Sequence, residues 1–208
     1  MADAAARSFT KKGASTRDRI VDGARTMLVE RGYDGLVLRE LADSLGITIG
    51  NLQYYFSTRE ALALHVLEDE ASRDARLVDE ERARSSPIET FRTAVRYMIT
   101  RYRGDSGALL LMLTALAQHH DSFSQLYEDS YAGFYPGFES LLAELRPGLS
   151  ADEVALRARV INSLVEGSSF QTHLDDLDAF FDRIVAESES IALARGTRSG
   201  SGEELGDR

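Results

Sequence analysis

Residues 38–56, LRELADSLGITIGNLQYYF, constrain the fold more than any other stretch of the chain. Ala42 and Gly46 stand four residues apart, and Leu52 follows six later. Two short helices that cross steeply need a small residue where they touch, a residue at ease in the left-handed region at the turn, and an apolar plug from the second helix. Ala42, Gly46 and Leu52 supply these in order, with Leu41, Leu45 and Ile47 beside the plug. The spacing predicts a helix-turn-helix, its first helix over 38–45 and its second over 48–55. At about 100° per residue, Ile49, Leu52 and Phe56 share the face expected to be buried. The opposite face carries Gly50, Asn51 and Tyr54, flanked by Gln53 and Tyr55, and no acid.

That exposed set suits a helix that reads a DNA groove. Glycine lets the backbone come close, an amide pairs with base edges or phosphates, and a phenol reaches further. Thr48 opens this helix, and Ser57 with Glu60 forms a capping pair for the next, so both helix starts offer N–H groups to phosphates. The net charge of -10 argues against a nucleic-acid partner only until it is divided along the chain. Residues 1–60 hold nine basic side chains against eight acidic, the remainder fifteen against twenty-six. One end alone is therefore fit to meet phosphates. Lys11 and Lys12 lie in a basic arm, 1–14, expected to be disordered in isolation; they are candidate phosphate or minor-groove contacts, or simply solvated charge.

The rest of the chain reads as all-α, with about nine helices in total and no strand alternation. Ser15 with Asp18 opens a first helix whose Ile20, Ala24 and Leu28 form one stripe, and Gly32 ends it. A fourth helix runs from the Ser57 cap to about residue 84. Further helices are expected near 88–103, 107–119, 121–146, 151–172 and 176–195, separated by GDSG at 104–107, by Pro147-Gly148, and by the capping pair Ser150 and Glu153. The domain reading is a helix-turn-helix module over 15–57, a larger helical body over 58–195, and a disordered Gly/Ser-rich tail over 196–208. There is no cysteine, which excludes disulfides and thiolate chemistry. The polar N-terminal run and the lack of any 18-residue apolar stretch lead us to expect a cytoplasmic protein with no membrane partner.

The run ARTMLVERGYDGLVLRELADSLGITIGNLQYYFSTREAL resembles the DNA-binding domain of the tetracycline-repressor (TetR) family of bacterial transcription factors. The match lies in Arg31-Gly32-Tyr33, Leu41-Ala42, Gly46, Gly50, Tyr55-Phe56 and Arg59-Glu60 with Leu62, and covers about residues 17–66. The resemblance implies a ligand-responsive repressor: a homodimer binding double-stranded operator DNA through its first three helices, with effector pocket and dimer interface in the body. Carried over by position, Thr48, Gly50, Asn51, Gln53, Tyr54 and Tyr55 would touch bases or phosphates, and Arg59 and Arg39 would clamp phosphates. Gln53 departs from the family's usual tyrosine, and Val37 from its usual capping threonine.

Six aromatics, Phe123, Tyr127, Tyr131, Phe134, Tyr135 and Phe138, fall on one helical stripe of about 120°. Core packing accounts for about half of such a stripe, and an apolar effector pocket for the rest. The candidate pocket residues are Met98, Tyr102, Met112, Leu116, Phe123, Tyr127, Tyr131, Phe134 and Phe170. The resemblance makes the apolar face of the last two helices the dimer interface, at Ile161, Leu164, Val165, Ser168, Phe180, Phe181 and Ile184; a face buried within one chain is the alternative. His119-His120-Asp121 is not a metal site, since neighbours on a helix point about 100° apart. No cofactor is expected, and with neither a Glu-x-x-His pair nor a nucleophile-base set, no enzymatic role. A helical binding module without DNA is the other alternative, but it gives no reason for the polar, acid-free face at Gly50, Asn51 and Tyr54.

Overall fold

Apolar residues at helical spacing fold as helices here wherever a cap or a breaker bounds them. The computed structural model describes residues 11–72, 84–171 and 173–195, with side chains from Thr16 onward. Nine helices and no strand stand among these residues: α1 (Lys11–Arg31), α2 (Leu38–Ser44), α3 (Ile49–Tyr55), α4 (Arg59–Ala71), α5 (Pro87–Tyr102), α6 (Asp105–Ala117), α7 (Asp121–Leu145), α8 (Ala151–Ser168) and α9 (Leu177–Leu193). The all-α architecture expected from the spacing is the one observed.

Several boundaries differ from the expectation. α1 begins at Lys11, so residues 11–14 are helical rather than part of a disordered arm and Ser15 lies inside the helix instead of capping it. Nothing in KKGAS forces a stop. Residues 1–10 and the tail 196–208 lie outside the described residues, as do the side chains of Lys11 and Lys12. α4 is capped by Thr58, whose hydroxyl accepts from Ala61 N, not by Ser57. Both hydroxyls can cap; Glu60, the acid expected to complete the Ser57 pair, instead accepts from the Ser122 hydroxyl at 2.5 Å. α4 ends at Ala71, and the expected continuation over 73–83 is outside the described residues. α8 stops at Ser168, where the Ser168 and Ser169 hydroxyls donate back to the carbonyls of Val165 and Glu166 and compete with further helix. The Ser150 cap on α8 is as expected.

The chain divides into two compact units. The first holds 11–72 and Thr100–Phe134. In it α1 packs on α2, α4 and α6, and α4 packs on α6. Its core contains the predicted stripe Ile20, Ala24 and Leu28 with Leu41, Ala42, Leu52, Leu62, Leu67, Leu109, Leu113 and Phe123, all buried. Each such leucine contributes about 1.5–3 kcal/mol relative to exposure. The second unit holds 84–99 and 135–195 of the described residues. There Phe91 stacks on Phe138 with ring centroids 5.9 Å apart. α8 packs against α9, and their faces bearing Val154, Ala158, Ile161, Val165, Phe181 and Val185 are buried. Arg157, itself buried, closes the end of α9: its guanidinium donates to the carbonyls of Ile191, Ala192 and Ala194 and pairs with Glu153 at 2.8 Å.

Candidate nucleic-acid interface

α2 and α3 are held apart by a turn that only a few residues permit. Gly46 sits at φ +66, the left-handed region that costs other residues about 1–2 kcal/mol. Its N–H reaches the carbonyl of Asp43, and that of Ile47 returns to Ala42 at 3.0 Å. α1 braces the turn from below. The Arg19 guanidinium donates to the Leu45 carbonyl at 2.7 Å, where the last carbonyls of α2 lack helical partners. Gly23 lets α1 lie close to α2, since a Cβ there would stand 2.7 Å from Leu41 Cδ1. No periodicity in the sequence announces Arg19 or Gly23 as parts of this support.

α3 presents the face that the helical wheel predicts. Leu52 and Phe56 are buried, and Ile49 is half-buried. Thr48 caps the helix, its hydroxyl accepting from Asn51 N at 3.2 Å. Thr48, Gly50, Asn51, Gln53 and Tyr54 are exposed, Tyr54 to 57%, and Tyr55 is half-buried with its ring edge-on to that of Tyr54. A Cβ added at Gly50 would meet nothing within 4 Å, so the first turn of α3 offers bare backbone to solvent. Val37 precedes α2 without a side-chain capping bond, as its departure from threonine implies.

The basic side chains nearby are already organised. Arg39 is exposed on α2. Arg59, half-exposed at the start of α4, lies over the Tyr33 ring at 4.3 Å and 3.5 Å from Asp34. A phosphate there competes with a carboxylate that is itself almost wholly solvated, so the exchange is cheap. Arg17 is engaged inside: it shares a 2.9 Å hydrogen bond with His65 Nε2 and lies over the Phe56 ring. Because an arginine can only donate, the His65 ring accepts and is neutral. Burial, and then the Arg17 charge, hold the His65 pKa below its ordinary value.

The candidate effector residues fall unevenly. Tyr102, Met112, Leu116, Phe123, Tyr127, Tyr131 and Phe134 belong to the first unit, whereas Met98 is buried in the second and Phe170 is an exposed residue there. Phe123 is fully buried against Tyr33, and Tyr127 and Tyr131 are half-buried, edge to face at 4.7 Å. The three phenylalanines of the aromatic stripe are packed, and its three tyrosines are partly open. A separate cleft of about 250 Å³ in the first unit is lined by Glu68, Ala71, Ser72, Leu126, Asp129, Ser130 and Gly133, none of them among the candidates. Leu126, Ser130 and Gly133 are themselves spaced as a helical stripe, one the aromatic pattern overshadowed.

Of the candidate dimer residues, Ile161, Val165, Ser168, Phe181 and Ile184 are buried within this single chain, while Leu164 and Phe180 are half-buried. The apolar residues left open on α8 are Leu156, 58% exposed, and Val160. Hydrophobicity alone does not tell a side chain covered by the next helix from one covered by another molecule. Among the described residues no group of three or more His, Asp or Glu side chains is placed to hold a metal ion, and no helix is long and apolar enough to cross a membrane.

Residues 20–66 match the family model described as bacterial regulatory proteins, tetR family. The repressor KstR2 of Mycolicibacterium smegmatis is 39% identical over 56 residues, 27% of each chain. The chain thus spans only about a quarter to a third of the length of the curated relatives it matches first. The regulator PksA of Bacillus subtilis is 25% identical across 81% of this chain and 83% of its own. Among solved structures, a transcriptional regulator from Saccharomonospora viridis in complex with choline superposes with a TM-score of 0.67 and 20% identity, covering 85% of this chain and 95% of that one.

Proposed function

We propose, from the match of residues 20–66 to the tetR family of bacterial regulatory proteins, that the chain is a sequence-specific DNA-binding transcriptional repressor that answers to a small-molecule effector. The observation that carries the reading is the α3 surface: Gly50, Asn51 and Tyr54 exposed, without an acid, on a helix anchored from behind by Leu52 and Phe56. Bare backbone permits close approach to a groove floor, the Asn51 amide can pair with an adenine edge, and Tyr54 reaches sugar or phosphate. Gln53, Tyr55, Arg39 and Arg59 flank this contact, and Lys11 and Lys12 extend it. The relatives named repressors support the sign of the regulation.

The chain works as a homodimer in bacterial cytoplasm, because a single seven-residue helix reads too few base pairs for specificity, while two such helices reach successive major grooves about 34 Å apart. Leu156 and Val160 on α8 form the apolar part of the contact. The effector binds in the helical body, where Tyr127 and Tyr131 offer partly open phenols, and shifts the population between arrangements that fit the operator and those that do not. We assign the chain no catalytic role.

Selecting duplexes from a random-sequence pool with the full chain, then titrating the enriched duplex, tests the reading. A consensus should emerge. With about six phosphates neutralised per dimer, log K should fall with log salt at a slope near -5. Enrichment of no sequence, or a slope near zero, would overturn the proposal. Sedimentation should give a dimer that Val160→Glu converts to monomer.

A further inference from the structure

The first unit buries two charges that DNA contact does not use. Glu70, on the last turn of α4, is 1% exposed, and Arg101, near the end of α5, is 5% exposed. The Arg101 guanidinium meets Glu70 twice, at Oε1 at 3.0 Å and at the backbone carbonyl. Glu70 Oε2 accepts from Arg25 of α1 at 3.3 Å, and Arg25 also reaches Asp105, the first residue of α6, at 3.2 Å. Four side chains from four helices are thus linked, two basic and two acidic, joining α1 and α4 to the corner between α5 and α6.

Stability alone gives a poor reason for such a set. Desolvating two ions costs several kcal/mol each, and apolar residues of similar volume usually hold a core as well or better. Apolar contact already joins α1, α4 and α6 through Ala24, Leu28, Val66, Leu67, Leu109 and Leu113. What ion pairs with fixed hydrogen-bond geometry add is one register where greasy surfaces would tolerate several. Register matters on α1, because that helix carries the supports of the reading surface: Gly23 lies against Leu41 of α2, and Arg19 holds the Leu45 carbonyl at the turn before α3. Arg19, Gly23 and Arg25 lie within two turns of one helix.

We propose that Arg25, Glu70, Arg101 and Asp105 form a positioning clamp that fixes α1 and α4 against the α5–α6 corner and thereby sets the placement of the α2–α3 reading surface. The inference rests on the DNA-binding role argued above. It makes these four positioning residues: none touches DNA, and each acts through the helix it holds.

Asp105→Asn is the cleanest probe, because Asp105 is 63% exposed and its loss buries no new unpaired charge. Glu70→Gln strikes the centre. Each full-length variant is titrated with the duplex selected by the wild-type chain and with a random duplex of equal length, at a temperature where circular dichroism shows it folded. The clamp predicts that the ratio of the two affinities falls about fivefold or more in Asp105→Asn and further in Glu70→Gln. Arg25→Gln combined with Asp105→Asn should cost no more than the worse single change. A destabilised fold with unchanged site geometry would lower melting temperature and leave the ratio alone. If Glu70→Gln does not fold, Asp105→Asn decides. Amide hydrogen exchange across 38–55 in the free chain gives a reading without DNA: Asp105→Asn should speed it there. An unchanged affinity ratio, or unchanged exchange over 38–55, overturns the clamp, whereas failure of the wild type to prefer any duplex overturns the DNA-binding reading and leaves the exchange result to judge the clamp.

Discussion

Gly50→Ala should make the protein more stable and a worse DNA binder. The added Cβ meets no atom within 4 Å, and Gly50 is the second residue of α3, with no positive φ to forbid alanine. Replacing glycine by alanine in a helix gains about 0.5–1 kcal/mol, chiefly by restricting the unfolded chain. At about 2–4 °C per kcal/mol for a chain of this size, the melting temperature should rise by about 1–4 °C. The same methyl projects from the surface that must lie against the groove floor. Standing the helix off breaks the reach of Asn51 and Tyr54, and losing one bidentate contact costs about 1–3 kcal/mol, or roughly five- to a hundredfold in affinity. Gly46→Ala is the control of opposite sign, since at φ +66 it pays about 1–2 kcal/mol and should melt lower. A thermal melt and an anisotropy titration on each variant suffice. A Gly50→Ala chain that melts lower than wild type refutes the open first turn, and one that binds as wild type refutes close approach at Gly50.

Other consequences follow from groups outside the reading surface. Arg157→Met should cost about 2–4 kcal/mol, because it strips charged donors from the α9 carbonyls and leaves Glu153 without its partner; a fall of about 4–16 °C in melting temperature checks it, and faster amide exchange should be confined to the end of α9. His65 has its pKa lowered by burial and by Arg17, so folding favours the neutral ring. The stability this provides is fully present above the unfolded value of about 6.5 and is lost as pH falls below that value toward the folded one. The melting temperature of wild type relative to His65→Gln should therefore drop between pH 7.5 and 5.5, and a flat difference would contradict the Arg17–His65 arrangement.

What the sequence revealed and what it hid have a common physical origin. Repeating or strictly local features were legible: the Ile20, Ala24, Leu28 stripe, the left-handed turn at Gly46, the Leu52 plug, the helix start at Thr48 and the Ser150 cap. Each is decided within a few residues by sterics or by a single hydrogen bond. The choice between Ser57 and Thr58 as a cap was not, and Glu60, which a Ser57 pair would use, is engaged by Ser122, 62 residues on. Likewise Arg25–Glu70, Arg25–Asp105 and Arg101–Glu70 join residues 45, 80 and 31 positions apart, with no period to announce them. Arg19 and Arg157 read as surface charge until the carbonyls they serve come into view. Ile161, Val165, Phe181 and Ile184 show the complementary difficulty: apolarity marked them for burial, but only the folded chain shows α8 and α9 covering one another.

Whether α3 is the element that reads DNA is tested most directly by Asn51→Ala and Tyr54→Ala. Both side chains are exposed and point away from the buried face of Ile49, Leu52 and Phe56, so neither change should move the melting temperature by more than about 2 °C, as surface substitutions seldom exceed 0.5 kcal/mol. Titrated against the duplex that the wild-type chain selects, each should lose about five- to a hundredfold in affinity while binding to a random duplex stays within about threefold. Wild-type affinity for the selected duplex in both variants would contradict the assignment of α3 as the reading helix.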